Sequence, residues 1–82
     1  MAARVHLAAS LRDLTDGVAE IEVEAATVRR LINQLDDRFP GLGDRLVEGT
    51  SVSINGEIIP DELYEDIPDG AEIHFLPTLS GG

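Results

Sequence analysis

Apolar and polar positions alternate near the start of the chain. Val5 and Leu7 are set against Arg4 and His6, the period of a strand with one buried face. Ser10 to Gly17 breaks the alternation and closes on the turn signal Asp16-Gly17, so this stretch is predicted as a loop. Alternation resumes with Ala19, Ile21 and Val23 facing one way and Glu20, Glu22 and Glu24 the other. The two strands are predicted to pair as an antiparallel hairpin, its line of carboxylates deterring contact with another sheet edge. The period then lengthens. Val28, Leu31, Ile32, Leu35 and Phe39 form one apolar stripe at helical spacing. Thr27 is placed to cap this helix, and Pro40-Gly41 stops it.

Leu42 to Val47 is a candidate for a further short turn of helix. Val52 to Ile54, the type I′ turn signal Asn55-Gly56, and Glu57 to Ile59 then predict a second short hairpin, ended by Pro60. Asp66 to Gly70 reads as a turn that launches a last strand from Ala71 to Leu76, with Ile73 and Phe75 on its core face. The order is ββαβ(β)β. The strand after the helix must cross over, and a last strand inserted beside the first gives a mixed sheet of about five strands grasping one main helix. This is the α+β arrangement called the β-grasp. Residues 1–77 are expected to form the domain and 78–82 a flexible C-terminal tail, because nothing in that tail buries enough surface to offset its entropy.

Composition narrows the function. A chain of 82 residues has room for one sheet and one packed helix, and little for a deep lidded cleft. A hydrophobic share of 43% fits a globular chain, and no apolar stretch approaches the roughly 18 residues that span a bilayer. No membrane partner is expected, and the expected compartment is the cytoplasm. The net charge of −10 argues against nucleic acid, whose phosphates need clustered cations, and favours a partner with a basic face. Cysteine is absent, which excludes disulfides, thiolate nucleophiles and thiolate metal sites within this chain. Lysine is absent too, all 6 cations being arginine. An activated C-terminal carboxyl would therefore meet no side-chain amine or thiol of its own chain.

The candidate chemistry lies on the open face of the sheet and at the chain end. If Ile73 and Phe75 point inward, Glu72, His74 and Leu76 point outward, together with Arg4, His6 and Ala8 of the first strand. The two histidines are thereby expected to approach each other and to tune partner binding. With Glu72 they fall short of a persuasive zinc donor set, so no metal is expected. Asp61, Glu62, Glu65, Asp66 and Asp69 lack the glycine-centred spacing of a calcium loop and read as a solvated face. No acid and base are paired as a hydrolase requires. Leu76 and Pro77 leave an apolar patch at the base of the tail. The tail closes on Gly81-Gly82, and glycine beside a carboxylate leaves a backbone slim enough for a narrow channel.

Phe75-Leu-Pro-Thr-Leu-Ser-Gly-Gly82, preceded by Pro68-Asp-Gly-Ala-Glu72, resembles the C-terminal signature of the ubiquitin-like MoaD/ThiS sulfur carriers. Asn55-Gly56, Leu11-Arg12 with Gly17, and Thr27 at the helix start fit the same family. The resemblance implies that an E1-like, ATP-dependent enzyme adenylates the terminal carboxylate, which becomes a thiocarboxylate that hands sulfur to an acceptor. It implies that Gly82 holds the sulfur, that Gly81 permits close backbone approach, and that Thr78, Leu79 and Ser80 thread the partner's channel. The chain itself is then no enzyme and binds no cofactor; ATP belongs to the activating partner. The acceptor implied is the large subunit of a molybdopterin synthase or a cysteine synthase. Leu-Pro-x-apolar-x-Gly-Gly, with Phe39-Pro-Gly41 and Asp44-Arg-Leu46, is closer to the carriers that feed a cysteine synthase. Two other readings stand beside it: a modifier joined through Gly82 to lysines of other proteins, and an interaction domain with an incidental tail.

Overall fold

The computed structural model describes residues 2–59 and 65–77. Strand β1 (Ala3–Leu7) buries Ala3, Val5 and Leu7 and turns Arg4 and His6 outward, as the alternation predicts. Its antiparallel partner β2 (Glu20–Val23) buries Ile21 and Val23 and exposes Glu20 and Glu22. Between them the stretch predicted as a loop contains a 3-10 helix, Ala9–Thr15. A short 3-10 helix of this kind shows no apolar period to read, but it is anchored. Leu11 and Thr15 are buried, and the Thr15 hydroxyl donates to the Val18 carbonyl at 2.8 Å.

Helix α1 (Val28–Arg38) carries the predicted stripe, with Val28, Leu31, Ile32 and Leu35 buried and Phe39 half-buried beyond its end. Thr27 caps it: its hydroxyl accepts from the Arg30 amide at 3.3 Å. Helix α2 (Leu42–Gly49) runs further than the short turn predicted, and buries Leu42 and Leu46. Its start is capped from a distance. The Asp36 carboxylate accepts from the amides of Gly41 at 3.2 Å and Gly43 at 2.9 Å, meeting two of the donors a helix start leaves free. The approach is tight enough that a Cβ on Gly43 would lie 2.9 Å from the Asp36 Cβ. Asp36→Ala is therefore expected to cost about 1 kcal/mol of stability, read from the midpoint of urea unfolding, with Asp36→Asn costing less. At the other end the Thr50 hydroxyl donates to the Leu46 carbonyl at 2.6 Å, turning the chain directly into the next strand.

Strands β3 (Thr50–Ile54) and β4 (Glu57–Ile59) form the second hairpin. Asn55 and Gly56 have φ of 51° and 87°, the two left-handed residues a type I′ turn demands. The Asn55 side chain also accepts from the Glu72 amide at 2.9 Å, tying the turn to the last strand. That strand, β5 (Glu72–Pro77), lies one residue later than predicted at each end. It pairs in parallel with β1 and antiparallel with β3, so the sheet order is β2-β1-β5-β3-β4. The mixed five-stranded sheet with α1 packed on one face is the β-grasp arrangement expected. Phe75, Ile73, Val5, Val52, Leu31 and Leu35 fill the layer between them. Among the described residues no helix is long and apolar enough to cross a membrane.

Candidate functional site: the open sheet face and the base of the tail

The face of the sheet away from α1 is left uncovered by the helices. The strand registers line up one residue from each strand in a row across it: Glu20, His6, His74, Ser53 and Ile58. Parallel pairing of β1 with β5 sets His6 opposite His74, and the rings stack with centroids 4.4 Å apart and planes 11° from parallel. The approach of the two histidines expected from alternation is thus observed. His6 is also held edge-on. Its Nε2 lies 3.0 Å from the Glu72 carboxylate and its Nδ1 3.4 Å from that of Glu20. Each ring nitrogen of His6 therefore faces one acid. Arg4 adds a longer contact to Glu20, at 3.9 Å.

The Glu72 carboxyl is held below the usual glutamate range, first by its hydrogen bond to His6 and further by the charges of His6, Arg4 and His74. A depressed carboxyl stabilises the fold above its ordinary value, and that contribution is lost as pH falls through the lowered one. The carboxyl carbon of Glu72, followed by NMR, is expected to titrate below ordinary glutamate and to move back up in His6→Phe. Identical midpoints in the two proteins would show that the hydrogen bond is not the cause.

At the end of β5, Leu76 pairs with Ser51 and Pro77 with Thr50, and both Leu76 and Pro77 are exposed. The predicted apolar patch is therefore present at the point where the tail begins. Thr78, Leu79, Ser80, Gly81 and Gly82 lie outside the described residues, as do Pro60, Asp61 and Glu62. Glu65, Asp66 and Asp69 are at the surface, as predicted. Among the described residues no three histidine or carboxylate side chains are grouped to hold a metal ion. Two participants escape the sequence reading. Glu20 joins His6 through the register of the first hairpin, and Ile58, 56% exposed, stands on the same face through the register of the second. The outward set of each hairpin was readable from alternation, but not the residues they face.

Fold and surface together define a ubiquitin-like β-grasp domain whose last described strand brings the chain to the edge of an open, charged face. The chain belongs to the ThiS family, whose model matches residues 5–82. A curated relative, the molybdopterin synthase sulfur carrier subunit of Pyrenophora tritici-repentis, is 28% identical over 57 residues. The match covers 66% of this chain and 61% of that protein. A chain in the crystal structure of the Amycolatopsis orientalis BexX/CysO complex superimposes with a TM-score of 0.86 at 28% identity, covering 98% of this chain and 99% of that one. Haloferax volcanii SAMP1, in its crystal structure, gives a TM-score of 0.79 at 26% identity with both chains fully covered.

Proposed function

We propose that this chain is a sulfur carrier that works through the carboxylate of Gly82. An E1-like enzyme supplies ATP; the carboxylate oxygen attacks the α-phosphorus, pyrophosphate leaves, and an acyl adenylate results. Attack by hydrosulfide on the adenylate carbonyl expels AMP, and loss of the S–H proton leaves a thiocarboxylate. A C-terminal carboxyl ionises near pH 3.3–3.7 and is therefore fully anionic and nucleophilic at neutral pH. The catalytic groups sit on the partners, so the carrier contributes a docking body and a narrow reactive end and is itself a co-substrate. It needs no cofactor of its own. The expected setting is the cytoplasm, where ATP is at hand.

The observation that carries this reading is a family match that runs to Gly82, on a body whose exposed Leu76 and Pro77 lead into the tail. Leu76, Pro77, His74 and His6 would then meet the partners, while Thr78, Leu79, Ser80 and Gly81 thread the active-site channel. Two sulfur acceptors fit: a molybdopterin synthase large subunit, after the Pyrenophora protein, and a cysteine synthase, after the resemblance carried by Leu76 to Gly82. The likeness to SAMP1, a small archaeal modifier protein, favours a second reading in which the same activated carboxyl is joined to lysines of other proteins.

Incubation with the cognate activating enzyme, ATP and a sulfur donor, followed by intact mass, separates the two. The carrier reading expects pyrophosphate release and a mass gain of one oxygen-for-sulfur exchange. Isopeptide-linked adducts without that gain support the modifier. No pyrophosphate from an enzyme shown to be active on another carrier ends both.

A further inference from the structure

Strand β2 is an outer strand of the sheet, so half of its backbone groups face away from β1. The Leu7 amide donates to the Ala19 carbonyl at 2.8 Å, which fixes the phase of the pairing. Ala19, Ile21 and Val23 bond to β1, and the backbone groups of Glu20, Glu22 and Glu24 point outward. Such an edge is a template for another strand. Here its acceptors are already taken. The Gln34 side-chain amide donates to the Glu24 carbonyl at 2.6 Å, and the Arg38 guanidinium donates to the Glu22 carbonyl at 3.4 Å. One step further along, the Ile67 amide donates to the Ala26 carbonyl at 2.9 Å. Successive outward carbonyls are thus filled by donors from outside the sheet. Spacing explains how one helix serves two of them. From Gln34 to Arg38 α1 rises about 6 Å, and from Glu22 to Glu24 the strand advances about 6.6 Å. The helix runs antiparallel to β2, so its earlier donor meets the later carbonyl.

We infer that α1 holds the outer edge of β2 closed to strand addition, with Gln34 and Arg38 standing in for a strand that is not there. An arriving strand has to displace both donors before its own amides reach the carbonyls of Glu22 and Glu24, and it forfeits the net value of the bonds it breaks. Opening the edge takes only side-chain movement. Arg38 is exposed and Gln34 half-buried, and no backbone hydrogen bond of the sheet is lost when they swing away. The closure is graded along the strand, tighter at Glu24 than at Glu22. Charge adds a second barrier of a different kind. A copy of β2 laid against this edge sets Glu20, Glu22 and Glu24 beside the same row, and like charges across strands are destabilising. A strand that tests the side-chain closure by itself is therefore a cationic one. The closure holds whether or not Gly82 carries sulfur.

The full-length protein, labelled with nitrogen-15, is titrated with a short peptide alternating lysine with valine, methylated on the amides of one edge so that it pairs through the other alone. The variant carrying Gln34→Ala and Arg38→Ala together is expected to show saturable shifts at Glu20, Glu22 and Glu24. It should bind about tenfold more tightly than the unaltered protein, the size that two modest net hydrogen bonds allow. Gln34→Ala alone should tighten binding more than Arg38→Ala alone, since its bond is the shorter. Arg29→Ala takes the same charge from another exposed position of α1 and should leave the affinity unchanged. Unshifted amides at Ile21, Leu31 and Leu35 show that the fold is intact; should the double variant unfold, the two single variants carry the same comparison. Equal affinity for the unaltered and double-variant proteins, an effect of Arg29→Ala as large as that of Arg38→Ala, or shifts centred away from β2 would each overturn the inference. So would failure of the folded double variant to bind at millimolar peptide.

Discussion

Phe75→Ala is expected to lower the unfolding free energy by about 3–5 kcal/mol, the range for removing a fully buried aromatic side chain. Phe75 heads the fully buried side chains by size and sits on β5, the middle strand of five. Its cross-strand neighbours on the core face, Leu7 on β1 and Val52 on β3, are themselves buried, so none of the three can swing out to refill the space. Small domains hold only about 5–15 kcal/mol in total, and this chain belongs at the lower end by size. A urea titration should show the midpoint falling to half or less of its original value with an unchanged slope. Phe75→Leu keeps most of the volume and should cost under about 1.5 kcal/mol. Equal midpoints for the alanine and leucine variants would mean that packing around Phe75 is not what holds the sheet to α1.

The second large effect concerns reach. Removing Gly82, or appending one alanine after it, moves the reacting carboxylate by about 3.3 Å along an extended chain. Misplacement of a reacting group by even 1 Å is enough to cost about 100-fold in rate. Both variants are therefore expected to lose at least that factor in pyrophosphate release with the activating enzyme. Their urea midpoints should not change, since both alterations lie beyond Pro77, where β5 ends. If both keep full activity, Gly82 is not the reacting residue, and the interaction-domain reading gains.

Much of the architecture was legible in the chain because its periods are clean. The stripe from Val28 to Phe39 buries its first four residues and half-buries the last, Phe39, and Thr27 caps the helix it was expected to cap. Asn55-Gly56 adopts the paired positive φ values its sequence signals. The approach of His6 to His74 followed from two alternations and one crossover, since parallel pairing of first and last strands leaves little freedom of register. What escaped the reading depends on contacts between distant residues. Asp36 reaches forward to cap α2, and no local pattern announces a carboxylate that serves a helix start five and seven residues on. The 3-10 turn from Ala9 to Thr15 is held by the buried Leu11 and the Thr15 hydroxyl rather than by any repeat. Ile58 looked like one more member of a short strand, and only its pairing with Ser53 sets it on the charged face.

The sheet's middle strand is also its last in sequence. Until β5 has been synthesised, β1 and β3 each present a raw edge, and the two hairpins have no strand between them to join them. Closing the sheet must therefore wait for β5 and pair Arg4 with Glu72 across the intervening elements, a topology that favours slow collapse over stepwise assembly. A nascent chain in that condition is open to clumping with its neighbours. The acidic row on β2, one of the sheet's two outer strands, guards the first hairpin's outer edge during that interval and afterwards, and leaves the inner edges of β1 and β3 to β5 alone.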